Sequence, residues 1–275
     1  ESASTLTLKV DGRLDNLGGK LLSEQAQSLQ AGSLNNDQGS IGSRAGLKLD
    51  SGVASNRGGE IHSLGDAELK LASLDNAGGK LQAGDTLALS AQQLDNGQGG
   101  VIDGGGKLTL NSAGQLGNDG GRIRGGAAVE LQAGELSNVG GTLESTGAQA
   151  LKVDGALDNH GGKLLSEQAQ SLQAASLNND GGSIGSRAGL KLDSGAASNR
   201  GGEILSLGDA ELKLASLDSN GGKVHSDGKL DVRTQGELLN RKGQFSALKQ
   251  LELRSQAGKL DNQGGKLLSG GALNA

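Results

Sequence analysis

The strongest constraint on this chain is its period. A Gly-Gly pair, or a remnant of one, recurs along all 275 residues, its second glycine falling at Gly19, Gly39, Gly59, Gly79, Gly100, Gly121, Gly141, Gly162, Gly182, Gly202, Gly222, Gly243 and Gly265. The steps are 20 to 22 residues. Fixed self-similarity at this spacing marks a repeat architecture, in which each unit contacts its neighbours and little else. A longer duplication lies over the short one: residues 8–80 recur as 151–223 with eight mismatches, an offset of seven units.

Within one unit, such as GGKLQAGDTLALSAQQLDN, the order of residue types is constant. An aliphatic residue follows the glycines (Leu21, Ile41, Ile61, Leu81, Ile102 and onward), then a small polar turn. L-x-L alternation comes next, as at Leu69 and Leu71, and then a Leu two residues before an Asn, as at Leu74 and Asn76. Period-two alternation in runs this short reads as strand. No ten-residue stretch keeps a helical apolar face through the glycines, and helical solenoids need longer repeats. The expectation is therefore about three strands of three to five residues per unit, closed into one coil of a parallel β-helix, about 20 residues per coil and about 13 coils. Four aliphatic side chains cannot offset the conformational entropy of ordering twenty residues, so a single coil is unstable and only the stack can fold.

Composition agrees with a narrow interior. There are 51 glycines, no Pro, Cys, Met, Trp or Tyr, and one aromatic residue, Phe245. Collagen is excluded, because it needs Gly at every third position and abundant Pro. The net charge of −5 gives no general attraction to nucleic acid or anionic membrane. No apolar run is long enough to span a bilayer as a helix. The opening residues, ESASTLTLKV, lack the basic and apolar regions of a signal peptide. The expectation is a single repeat segment over residues 1–275, internal to a longer protein, whose cut end coils associate end to end.

The most informative polar feature is a column of asparagines: Asn16, Asn36, Asn56, Asn76, Asn96, Asn118, Asn138, Asn159, Asn179, Asn199, Asn240 and Asn262. The eleventh unit has Ser219 in that slot and Asn220 one place on. Amides stacked at coil spacing can donate to one neighbour and accept from the other, so the column is expected to form a structural Asn ladder at an inward corner. The alternative is that Asn stands there as a turn former tolerant of positive φ. The Gly pair beside it is expected to need positive φ.

The recurring LDNxGGKL, as LDNLGGKL at 14–21 and LDNAGGKL at 74–81, resembles the filamentous haemagglutinin repeat. That repeat builds the shafts of two-partner-secretion exoproteins in Gram-negative bacteria, including contact-dependent growth inhibition effectors of the CdiA type. The resemblance implies a right-handed parallel β-helix, export through an outer-membrane two-partner-secretion transporter, and a secreted, cell-surface location. It implies a structural shaft that projects an adhesive or toxic region. A target-cell receptor or a glycan is the partner class to test on the rod face.

Chemistry is sparse. Polysaccharide-degrading β-helices cluster carboxylates on one face, often with calcium or a base. Asp15, Asp75, Asp95, Asp158, Asp218 and Asp261 recur before the Asn column, but Asn35, Ser55 and Gly117 interrupt them, and they read as solvated turn residues. The position after the glycines carries both signs, as in Lys20, Glu60, Lys80 and Arg122, which argues against a nucleic-acid or heparin stripe. His62, His160 and His225 fall in different units. GGGKLTLNS at 104–112 matches neither the calcium nonapeptide nor a phosphate loop. No catalytic residue, cofactor or metal site is assigned. The stretch 225–260 departs furthest from the template, and Arg241, Lys242 and Phe245 within it are the candidate partner-binding residues; the other reading is repeat drift, with Phe245 as a larger plug in the core.

Overall fold

A computed structural model describes residues 1–275. The chain is all β, without a helix, and divides into two compact units, Glu1–Ser137 and Asn138–Ala275. Each unit is a parallel β-solenoid with one repeat per coil. In the first unit the residues after the glycines form four-residue strands, among them Lys20–Ser23, Ser40–Ser43, Glu60–Ser63 and Lys80–Ala83. Nine- to eleven-residue strands follow, such as Gln27–Asn35, Leu47–Ser55 and Lys107–Gly117. The second unit repeats the pattern, with Lys163–Ser166 and Gln170–Asn178 as one such pair.

Neighbouring coils pair like on like. Leu21, Ile41, Ile61, Leu81, Ile102 and Ile123 are in register along the short strands of the first unit. Leu29, Leu49, Leu69 and Leu89 form a second column, and Leu34, Ala54, Leu74 and Leu94 a third. All of these from Leu29 and Ile41 onward are buried. In the second unit Phe245 takes its place in the first column, between Val224 and Leu267, with no exposed surface. The only phenyl ring in the chain thus fills the core where a branched aliphatic stands elsewhere.

The three separate short strands expected per coil become two in most coils. In Gln27–Asn35 the buried residues are Gln27, Leu29, Ala31 and then Leu34, so the alternation slips by one at Gly32 and Ser33. That slip turns a corner while pairing continues on both sides of it, as in Ala31 with Ser51 and Ser33 with Val53. Register shifts at Val10/Arg13, Ser112/Gln115 and Val153/Ala156 mark the same corner. Only in a few coils does the ladder lapse there, as between Leu87–Ala91 and Gln93–Asp95, or between Lys229–Thr234 and Leu238–Leu239.

The two glycines of the turn do different jobs, which corrects the expectation that both need positive φ. The first adopts it, with φ +59° at Gly58 and +64° at Gly78, and Gln38 and Lys242 hold the same place at +56°. The second does not. A Cβ on Gly59 would lie 2.1 Å from the Asn36 carbonyl oxygen and 2.6 Å from Asn56 Oδ1, so the preceding coil leaves no room for one. Gly58→Ala should therefore cost roughly 1–2 kcal/mol, the ordinary penalty of a side chain at positive φ. Gly59→Ala should cost more, because the coils must part or an amide must rotate. Urea unfolding followed by circular dichroism measures both; equal costs would contradict this division of roles.

Candidate functional site

The polar chemistry of the coil interior is concentrated at two corners. At the first, before the Gly turn, the Asn side chains point inward and are buried, from Asn36 to Asn138 with no exposed surface. In the first unit Asn16 Nδ2 donates to Asn36 Oδ1 at 2.6 Å, and the pattern continues through Asn56, Asn76, Asn96 and Asn118 at 2.6–2.8 Å. Each amide also donates to backbone carbonyls, as Asn36 Nδ2 does to Gly39 O at 3.3 Å and Glu60 O at 3.1 Å. In the second unit Asn138, Asn159, Asn179 and Asn199 are linked at 2.7 Å, Asn199 donates to Ser219 Oγ at 3.0 Å, and Asn240 donates to Asn262 at 2.7 Å.

The second corner, after the short strand, belongs to serines. Ser43 Oγ has two acceptors within reach of its single proton, Gly46 O at 2.9 Å and Gln25 O of the preceding coil at 2.8 Å, and it accepts from Ala45 N at 3.3 Å. Ser63, Ser166, Ser186 and Ser226 are buried at equivalent places and make the same bond to the carbonyl three residues on. The sequence reading recognised only a polar turn here, although Ser recurs at a fixed four residues after the second Gly. It also missed Gln27, Gln149 and Gln170, which are buried where other coils carry Leu47 or Ala67. Their amides reach inward carbonyls, Gln27 Nε2 to Leu21 O and Gln170 Nε2 to Leu164 O, each at 3.2 Å.

The aspartates before the Asn column serve the turn. Asp75 Oδ1 accepts from Ala77 N at 3.1 Å, Asp95 from Gly97 N at 2.8 Å and Asp158 from His160 N at 3.0 Å. These are Asx turns, in which a carboxylate mimics a backbone carbonyl. Arginines close over several of them: Arg57 on Asp75, Arg200 on Asp218 at 2.6 Å and Arg241 on Asp261 at 2.8 Å.

Outward rows carry charge that is balanced locally. In the second unit Glu211, Asp231 and Glu252 are in register, and so are Lys213, Arg233 and Arg254 two residues on. Lys213 meets Glu211 at 2.9 Å, Arg233 meets Asp231 at 2.8 Å and Arg254 meets Glu252. Lys229 adds a contact to Glu252 at 2.8 Å. Hydrogen bonding to Lys229 holds the Glu252 carboxyl below the usual carboxylate range, and the same contact raises Lys229. The basic row is therefore neutralised along its length.

The candidate partner-binding residues separate. Arg241 is tied to Asp261, and its backbone N–H donates to Asn220 Oδ1 at 2.8 Å. Lys242 occupies the positive-φ place of the turn and is exposed. Phe245 is withdrawn entirely into the core and presents nothing to a partner, because its strand position points inward like Val224. The histidines do not meet. His62 lies over Gly42 of the preceding coil, where a Cβ would come within 2.3 Å of its ring, and His225 contacts Asp227 and Ser246, each at 2.8 Å. No group of three or more His, Cys, Asp or Glu side chains is placed to hold a metal ion.

A haemagglutinin repeat family model matches residues 2–70, 65–120, 117–161, 150–257 and 240–275, which together cover the chain from its second residue to its last. The chain belongs to the haemagglutinin repeat family. No curated protein and no solved structure matches it. In this haemagglutinin repeat chain the departures at 225–260 are absorbed within the coil: the longest step still ends in a Gly turn, and its strands pair in register with their neighbours.

Asp261 gives a pH prediction. Hydrogen bonds from Lys259, Arg241 and Gln263 N hold its carboxyl well below the ordinary carboxylate range. A group whose pKa falls on folding contributes stability that is complete above its unfolded value, near pH 4, and drains away as pH drops towards the folded value. Asp261→Asn should lower the thermal midpoint at neutral pH, and the gap from the parent should shrink below about pH 4. A gap unchanged across an acid titration followed by circular dichroism would contradict this.

Proposed function

We propose that this chain is a structural segment of the shaft of a large secreted bacterial exoprotein, an adhesin or a contact-dependent growth inhibition effector, that holds a distal region away from the producing cell. The observation that carries this reading is the uninterrupted haemagglutinin repeat, with polar groups spent on turns and coil-to-coil contacts. The family is one of structural repeats found generally in secreted surface proteins, which supports an extracellular place. A cysteine-free chain of local contacts suits export in an unfolded state through an outer-membrane partner. Coils would then add one after another outside the cell, each new coil finding a template in the last.

A specific feature favours a second reading, a face that recognises a glycan or receptor. Along the strand corner of the second unit runs a groove bordered by Gln173, Asp193, Lys213, Arg233, Gln235 and Gln256. Its amides and charges suit a hydroxylated chain lying across successive coils. Two measurements separate the readings. Antibodies to the segment should label intact producing bacteria, and labelling only after permeabilisation would contradict the extracellular shaft. The purified segment should show no saturable binding to a glycan array or to target cells. Saturable binding abolished by Arg233→Ala would instead support the groove.

A further inference from the structure

We propose that the corner between Ser219 and Asn240 is a binding site for one buried water molecule, which completes the inward amide column where the protein supplies no amide. The inference starts from a substitution inside the duplicated block. Asn76-Ala77 of the first copy is replaced by Ser219-Asn220 in the second. The Asn76 amide donates to Asn96 Oδ1 at 2.7 Å, Gly79 O at 3.3 Å and Val101 O at 3.2 Å. The equivalent acceptors above Ser219 are Asn240 Oδ1, Gly222 O and Gln244 O. Ser219, with a hydroxyl in place of the carboxamide, spans to none of them.

Two observations converge on this corner. Asn240 Oδ1 is buried without a hydrogen-bond partner, in a side chain only 2 % exposed, and its Nδ2 is already committed to Asn262 Oδ1 at 2.7 Å, so the amide gains nothing by reversing. Ser219 is fully buried, and its hydroxyl oxygen accepts from Asn199 Nδ2 at 3.0 Å, which leaves its proton free to be donated.

A water fits this set of partners. It accepts from the Ser219 hydroxyl and donates to Asn240 Oδ1 and Gln244 O, giving the three bonds typical of a buried water. The volume lost between Asn and Ser is comparable with the ~30 Å³ that one water occupies in the liquid. Asn220 shows that the exchange left the outer turn intact: its Oδ1 accepts from Arg241 N at 2.8 Å, as Asp37 Oδ1 does from Arg57 N at 2.9 Å.

Crystal structures of the whole 275-residue chain and of its Ser219→Asn variant test the proposal. The parent should show one solvent peak within hydrogen-bond distance of Ser219 Oγ, Asn240 Oδ1 and Gln244 O. In Ser219→Asn the peak should disappear and the new amide should reach Asn240 Oδ1. A dry corner in the parent, with Asn240 turned to another partner, would overturn the proposal. So would an anomalous signal at the site after soaking in rubidium chloride, which would make the ligand a monovalent cation.

Discussion

No coil of this protein can stand alone, and the pairing of each coil with the next is the interaction on which everything else depends. A coil has only a few aliphatic side chains to bury and many backbone groups to satisfy. Both needs are met by a neighbour of the same sequence pattern: Ile41 lies between Leu21 and Ile61, and the backbone of Gln27–Asn35 pairs along its length with Leu47–Ser55. Parallel pairing that keeps its register along each straight stretch, shifting only at the corner of some coils, places each residue type over its own kind. Selection for one good coil is thereby selection for the stack, and the block 8–80 could be copied seven units further on with eight changes and still fold into the same elements.

Stacking like on like makes severe demands on polar residues. A buried charge would be repeated beside itself at strand spacing, so interior polar groups must be neutral and must carry both a donor and an acceptor. Asn meets the demand at one corner, Ser at another, and Gln at the start of a few long strands. Charge is confined to outward rows, and there each like-charged column is offset by its opposite two residues along the strand, as Glu211, Asp231 and Glu252 are by Lys213, Arg233 and Arg254. The second glycine of each turn answers the same constraint, because the carbonyl of the previous coil's Asn lies where its Cβ would be.

Much of this was legible in the sequence, because in a solenoid a vertical contact is a horizontal period. The columns beginning at Leu21 and Leu34, the inward face of L-x-L, and the regularity of the Asn position can all be read by aligning units. What escaped were features with no periodic signature of their own. The corner at Gly32-Ser33 is a slip in alternation that leaves backbone pairing unbroken, so two expected strands merge into one. The two glycines look equivalent as letters, yet one answers to φ and the other to a neighbour's oxygen. Buried Gln27 reads as surface by residue type.

The central claim, that residues one period apart lie directly over one another, is open to a direct measurement because the chain has no native cysteine. Lys48 and Glu68 are in register on adjacent coils and both face outward. Strands at the usual spacing of ~4.8 Å place such a pair within disulfide range, whereas the diagonal pair Lys48 and Lys70 lies beyond the ~7 Å limit. Disulfide formation under mild oxidation in the Lys48→Cys/Glu68→Cys and Lys48→Cys/Lys70→Cys double variants should be fast and near complete in the first and slow in the second. Equal rates, or faster closure of the diagonal pair, would contradict the stacking register and the coil built on it.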